Sequence, residues 1–214
     1  MAEDANRRPL ASRNTGWAAA LTRFLAQTSV TPNQISAASM AMAALSGAAF
    51  WLAGAAEGWE RVVSLLCGAA FCQLRLLCNL LDGMVAIEAG KKTPDGAFWN
   101  EFPDRIADIL ILAGVGYGIG IPALGWAAAA FAVLTAYVRE LGRASGVQAD
   151  FSGPMAKPHR MAAVTAGALL SLLEPLWSGR NDILTFTLWV VAIGALLTAL
   201  RRSSRLVAQL RTSL

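Results

Sequence analysis

The chain sets long apolar runs between short polar breaks. Runs at about 36–56, 61–81, 105–121, 123–142, 161–177 and 183–200 approach the ~20 residues an α-helix needs to cross a hydrocarbon core. Thr31-Pro32-Asn33 breaks the chain before the first run, with Asn33 or Ser36 as the expected helix cap. Thr93-Pro94 opens the third long helix, with Thr93 as expected cap and Pro94 on the first turn. Pro103 then falls inside that helix, where its missing N–H predicts a kink. Upstream of the first run, Leu10, Trp17, Leu21, Phe24 and Leu25 recur at helical spacing, with Arg13 and Arg23 among them. Residues 10–28 therefore read as an amphipathic helix, either lying on a bilayer surface or packed against the edge of the bundle. The expected fold is all-α and polytopic. It is one domain over residues 1–214: an interfacial helix (10–28), a six-helix transmembrane bundle (36–200) and a basic cytoplasmic tail (201–214).

Composition agrees with that pattern. The chain is 56% hydrophobic and 15% charged, too apolar for an ordinary soluble domain. Of the 18 Lys and Arg, only Arg61 and Arg180 fall in connections on the side opposite the termini. This asymmetry predicts a multi-pass protein of the cell inner membrane with both termini cytoplasmic. The first 30 residues lack the apolar core of a signal peptide. The net charge of +4 then reads as topology plus attraction to anionic headgroups, not as nucleic-acid binding. Cys67, Cys72 and Cys78 lie along one helix without metal-ligand spacing and read as small packing residues.

The polar exception is Asn79 to Asp108. A carboxylate at the centre of a membrane helix costs on the order of 2.5–3.5 kcal/mol unless something pairs it. Asn79 and Asp82 share one helical face, and Asn100, Asp104 and Asp108 share another. Two oxygen-bearing ladders on the side of the basic clusters suit a hard cation, and hard cations handle phosphates. The plainer alternatives are ion pairs: Asp82 and Asp104 with Arg75 and Arg105, and Asp108 with Arg105. Glu88, Lys91 and Lys92 read as interfacial charges, and His159 as a loop residue. Gly114, Gly116, Gly118 and Gly120 form a small-residue run suited to close helix contact.

Asn79, Asp82, Gly83, Ala86, Ile87, Gly96, Asn100 and Asp104 match, without a gap, the spacing of a longer signature. The pattern resembles that of the CDP-alcohol phosphotransferase (CDP-alcohol phosphatidyltransferase) family, Asp-x2-Asp-Gly-x2-Ala-Arg, a short spacer, then Gly-x3-Asp-x3-Asp. Three identities depart from it: Asn79 and Asn100 stand for Asp, and Ile87 for Arg. Thr31-Pro32-Asn33, Arg139-Glu140 and Gly153-Pro154-Met155-Ala156-Lys157 resemble the family elsewhere, so the likeness covers nearly the whole chain. The Asn-containing form resembles a distinct bacterial subgroup.

The resemblance implies transfer of a phosphatidyl or related phospho-alcohol group from a CDP-alcohol, such as CDP-diacylglycerol, to an unidentified acceptor alcohol, releasing CMP. It implies a divalent cation, Mg²⁺ or Mn²⁺, and a homodimer in the membrane lipids. Asp104 would take the acceptor proton. Asn79, Gly83, Ala86 and Gly96 would receive the CDP moiety, with Gly83 letting the backbone approach it. Arg139, Arg143, Lys157 and Arg160 would hold phosphate on donor or acceptor, and Glu140, Gln148 and Asp150 lie where they could select the acceptor. The usual four Asp face two divalent ions, and here Asp82 and Asp104 retain two of the four. The implied metal set is Asp82, Asp104 and Asp108, with Asn79, Asn100 or Glu101 completing the shell, around at least one divalent ion. Two other functions fit the residues: a catalytically silent member that binds a CDP-lipid or scaffolds a partner, and a small transporter with intramembrane carboxylates.

Overall fold

A computed structural model describes residues 15–91, 93–177 and 179–212. Helix α1 (Gly16–Ala26) covers the described part of the expected interfacial segment, while Leu10 and Arg13 lie outside the described residues. Then follow α2 (Pro32–Ala55), α3 (Gly58–Glu88), α4 (Gly96–Gly118), α5 (Pro122–Ala144) and α6 (Lys157–Leu170). A 3-10 helix (Ser171–Trp177) continues α6, and α7 (Asp182–Thr212) ends the bundle. The chain is an all-helical, multi-pass membrane protein. Helices α2, α3, α5 and α7 are long and apolar enough to cross a membrane.

The ends of the helices differ from expectation in ways local chemistry explains. Thr31, not Asn33 or Ser36, caps α2: its hydroxyl accepts the Gln34 N–H while the Gln34 side chain accepts the Thr31 N–H. Asn33 instead donates to Asp95 Oδ2 across the bundle. Thr93 is not a helix cap either. It opens a turn in which the Gly96 N–H donates to the Thr93 carbonyl, and α4 starts at Gly96. Helix α4 runs on through Pro103. The apolar run at 161–177 is composite, an α-helix to Leu170 and then tighter 3-10 turns around Pro175. The expected tail is largely a continuation of α7, which stays helical to Thr212.

Glycines set the packing. Helix α2 lies against both α3 and α4, α4 against α5, and α5 against α7, with α6 between α3 and α7. A Cβ at Gly114 would lie 2.3 Å from the Gly47 carbonyl oxygen, and one at Gly54 would lie 1.8 Å from that of Gly118. Gly116 meets Gly125 of α5 in the same way. Three of the four glycines in the run are thus backbone-to-backbone helix contacts. Gly120 has a different role: its φ of +76° turns the chain after α4.

The two basic residues set apart by sequence meet at one end of the bundle. Arg61 Nη2 lies 2.6 Å from Glu174 Oε2, and Arg180 Nη1 2.9 Å from Glu57 Oε1. Exposed Trp51, Trp59, Trp126 and Trp177 ring that same end, as aromatic residues do at a membrane–water boundary. Arg61 and Asp82 sit near opposite ends of α3, roughly 30 Å apart at ~1.5 Å per residue.

Candidate functional site

At the other end, α3 and α4 touch each other sparsely, and α6 approaches the gap between them. On α3, Arg75, Asn79, Asp82 and Ala86 fall at helical spacing along one face. On α4, Asn100, Asp104 and Asp108 do the same. The first turn of α6 brings Lys157 to them.

Asp104 is 7% exposed and is held from both sides. Arg75 Nη2 donates to its Oδ1 at 3.0 Å. The Lys157 ammonium donates to its Oδ2 and also to Asn79 Oδ1. The ammonium therefore bridges α3 and α4. Asp82 is 4% exposed; its Oδ2 accepts from Ser36 Oγ at 2.7 Å and its Oδ1 from the Gly83 N–H at 2.6 Å. The charges of Asp104 and Lys157 both act on it. A Cβ built at Gly83 meets nothing within 4 Å, and one at Gly96 meets only Thr93 Oγ1, at 3.8 Å. Both glycines thus face open space, unlike the packed glycines of α2 and α4.

The remaining expected residues form two further groups. Asp108 is fully buried, and Arg160 Nη2 donates to its Oδ2 at 2.6 Å. Arg160 also donates to the Met155 carbonyl, which fixes the turn before α6. Arg160, expected at a phosphate, is 2% exposed and holds Asp108 instead; Arg105, the expected partner of Asp108, pairs with Glu101. Glu101 also accepts from Arg139, Arg139 Nε donates to Glu140 at 2.9 Å, and Arg143 pairs with Glu140 at 3.0 Å. Asn100 is exposed. Among the described residues no three His, Cys, Asp or Glu side chains gather as a metal-holding group.

Next to this chain of ion pairs, α5, the 145–156 connection and α7 enclose a surface groove lined by Arg139, Gln148, Asp150, Arg202 and Arg205. Burial raises the Asp150 carboxyl, but hydrogen bonds from Ser152 and Arg205 outweigh it and hold the group below its ordinary value.

Some of these contacts had no sequence signal strong enough to assign them. Ser36 looked like a helix cap, yet it bonds Asp82 from 46 residues away. Arg202 falls in the expected basic cytoplasmic tail, yet it is 5% exposed and donates to the carbonyls of Thr135 and Ser152. Lys91, read as a headgroup contact, donates to the Thr28 and Val30 carbonyls at the α1–α2 turn.

No family model matches the chain. A phosphatidylinositol phosphate synthase of Mycolicibacterium smegmatis is 32% identical over 145 residues, 63% of this chain and 63% of that protein. The match thus spans less than two thirds of that relative's length. A solved structure of Mycobacterium tuberculosis phosphatidylinositol phosphate synthase with CDP-DAG bound has the same fold. Its TM-score is 0.73 at 21% identity, with 88% of this chain and 92% of that one covered. A second structure of that protein, in complex with manganese and citrate, superposes at a TM-score of 0.72 with 20% identity, covering 88% of each chain. The chain is thus similar in sequence to phosphatidylinositol phosphate synthases over part of their length, and it shares the fold of one of them.

In the register of the signature that the chain resembles, the Asp-Gly pair is Asp82-Gly83 on α3, and the last Asp is Asp104 on α4. The first family Asp is Asn79, whose carbonyl receives the Lys157 ammonium. The third is Asn100, exposed on the first turns of α4. The family Arg is Ile87, which is 50% exposed. Two of the three departures, Ile87 and Asn100, are thus exposed, while Gly83 and Gly96 are kept.

Proposed function

We propose that this chain is an integral membrane transferase of phospholipid biosynthesis. It moves a phosphatidyl or related phospho-alcohol group from a CDP-alcohol such as CDP-diacylglycerol to an acceptor alcohol, and CMP leaves. In this reading six helices cross the inner membrane, α4 and the composite α6 included, and both termini are cytoplasmic. The observation that carries it is a buried Asp82 beside a Gly83 that faces open space, together with an Asp104 held in position from two sides.

The donor chemistry suits a hard divalent cation, Mg²⁺ or Mn²⁺. Asp82 and Asp104 supply carboxylate oxygens, Asn79 and Asn100 neutral carbonyls, and the open side at Gly83 leaves room. Glu101 and Asp108 are already paired with arginines. When bound, such a cation would neutralise negative charge on the diphosphate as the CMP oxygen leaves.

The chain's own residues account for the rest. Gly83 lets the nucleotide approach the α3 backbone, because any side chain there would point into that space. Arg75 fixes one oxygen of Asp104. A carboxylate oxygen has two lone pairs, so Asp104 Oδ2 can receive the acceptor proton while still facing Lys157. The Lys157 ammonium adds positive charge beside the phosphate to be transferred. The Arg139, Gln148 and Arg205 groove next to Glu140 is a basic recess for the acceptor.

The test is release of CMP from CDP-diacylglycerol by the purified full chain, with a pool of alcohols and either Mg²⁺ or Mn²⁺. Release should depend on the ion and should fall to background in Asp82→Asn and Asp104→Asn proteins that still fold. Silence across all alcohols and ions would favour the catalytically silent, CDP-lipid-binding alternative.

A further inference from the structure

The Lys157 ammonium lies where a cation between α3 and α4 would lie. It is 15% exposed and touches one oxygen from each helix, Asn79 Oδ1 and Asp104 Oδ2. We propose that Lys157 is the resident cation of one half of this site, so that the chain binds a single divalent ion on the Asp82 side. This rests on the transferase reading above.

Three observations support it. First, the helix that faces Lys157 from α3 presents an amide. The Asn79 carbonyl accepts the ammonium without adding a negative charge, whereas a carboxylate there would call for more positive charge. Second, charge balances around one ion only. Asp82 and Asp104 carry two negative charges, and Arg75 and Lys157 match them. One divalent ion then meets the diphosphate, whereas two would leave a large surplus of positive charge in a poorly solvated cleft. Third, the carboxylates that could serve a second ion are engaged: Glu101 by Arg105 and Arg139, Asp108 by Arg160. Among the described residues no three His, Cys, Asp or Glu side chains gather, so the carboxylates at hand, Asp82 and Asp104, are too few for a pair of ions.

The experiment counts ions directly. The full chain in lipid nanodiscs, with CDP present, is titrated with Mn²⁺, and free Mn²⁺ is read from its paramagnetic resonance signal. The wild-type chain should bind one ion. An Asn79→Asp, Lys157→Met double variant, which restores a carboxylate and removes the ammonium, should bind two. Asn79→Asp alone, with Lys157 in place, should still bind one. Two ions in the wild-type chain, or one in a double variant that elutes as a single folded species, overturns the inference. If the double variant does not fold, the wild-type count decides: one supports, two overturns. No bound Mn²⁺ in any protein overturns this inference and the metal-dependent reading together. Counts of one and two without CMP release overturn only the transferase reading.

Discussion

Arg75 reaches from α3 to α4 and places its Nη2 3.0 Å from Asp104 Oδ1, with no surface of its own exposed. The pair couples two helices that otherwise touch sparsely. Replacing a buried pair by apolar groups can be neutral, but removing one partner costs the other part of its compensation. Asp104 keeps the Lys157 ammonium, so Arg75→Ala is expected to cost about 1–3 kcal/mol, seen as a lowered thermal unfolding midpoint in detergent. Arg75→Lys should recover only part of that, because an ammonium cannot reproduce the planar guanidinium. An Arg75→Ala protein that unfolds at the wild-type temperature would show that the pair does not hold the helices.

Gly83 separates stability from ligand access. A Cβ there meets no atom within 4 Å, and alanine is the better helix former by roughly 0.5–1 kcal/mol. Gly83→Ala should leave the unfolding midpoint unchanged or slightly raised. The same methyl group would stand in the space assigned to the nucleotide, so CDP binding measured by calorimetry should weaken at least ~10-fold, about 1.4 kcal/mol. Unaltered CDP affinity in a stable variant would place the nucleotide elsewhere.

Gly114 behaves in the opposite way. Its Cβ would lie 2.3 Å from the Gly47 carbonyl oxygen and 2.5 Å from the Gly47 Cα, with backbone on both sides and no flexible side chain to yield. Gly114→Ala should lower stability by about 1–3 kcal/mol, the usual range for overpacking, and Gly47→Ala should do the same. A Cβ at Gly47 would lie 2.3 Å from the Leu110 carbonyl oxygen, so both substitutions push apart the same helix pair, α2 and α4, and the double variant should cost less than the sum of the two. Thermal unfolding of the three proteins in one detergent checks this, and simple additivity would argue against a shared contact.

What could be read in the sequence was what depends on periodicity and local spacing. The six runs after residue 30, the α3 and α4 ladders and the small-residue contact at Gly114 all follow from residues three or four apart on one helix. Pairings between helices did not follow. Asp104 and Asp82 had Arg75 and Arg105 as neighbours in sequence, and only the fold decides that Arg75 serves Asp104 while Ser36 serves Asp82. Lys157 reads as a phosphate anchor, and a topogenic charge explains it nearly as well. Its place between Asn79 and Asp104 depends on where α6 docks, which no local pattern encodes. Helix ends were misplaced for a related reason: Thr31, Asn33 and Ser36 are all good capping residues, and the choice rested on Gln34 completing a reciprocal pair.

The far end of the bundle offers a control in which stability and function should part. Glu174 is fully buried and accepts from Arg61 Nη2 at 2.6 Å, from the Asn181 N–H at 3.0 Å and from the Ile183 N–H at 2.8 Å. It thus joins the 3-10 helix, the start of α7 and the start of α3, where Arg61 also donates to the Ala53 carbonyl of α2. Glu174→Gln keeps the shape but leaves the Arg61 charge without its counter-ion, and should cost about 3–5 kcal/mol of stability. Because this cluster lies roughly 30 Å from Asp82 along α3, the folded fraction of the variant should bind CDP and Mn²⁺ as the wild-type chain does. A lower unfolding midpoint with unchanged binding per folded protein is the expected result. Altered Mn²⁺ stoichiometry in Glu174→Gln would mean that the two ends of the bundle are coupled and that the site is not built by α3, α4 and α6 alone.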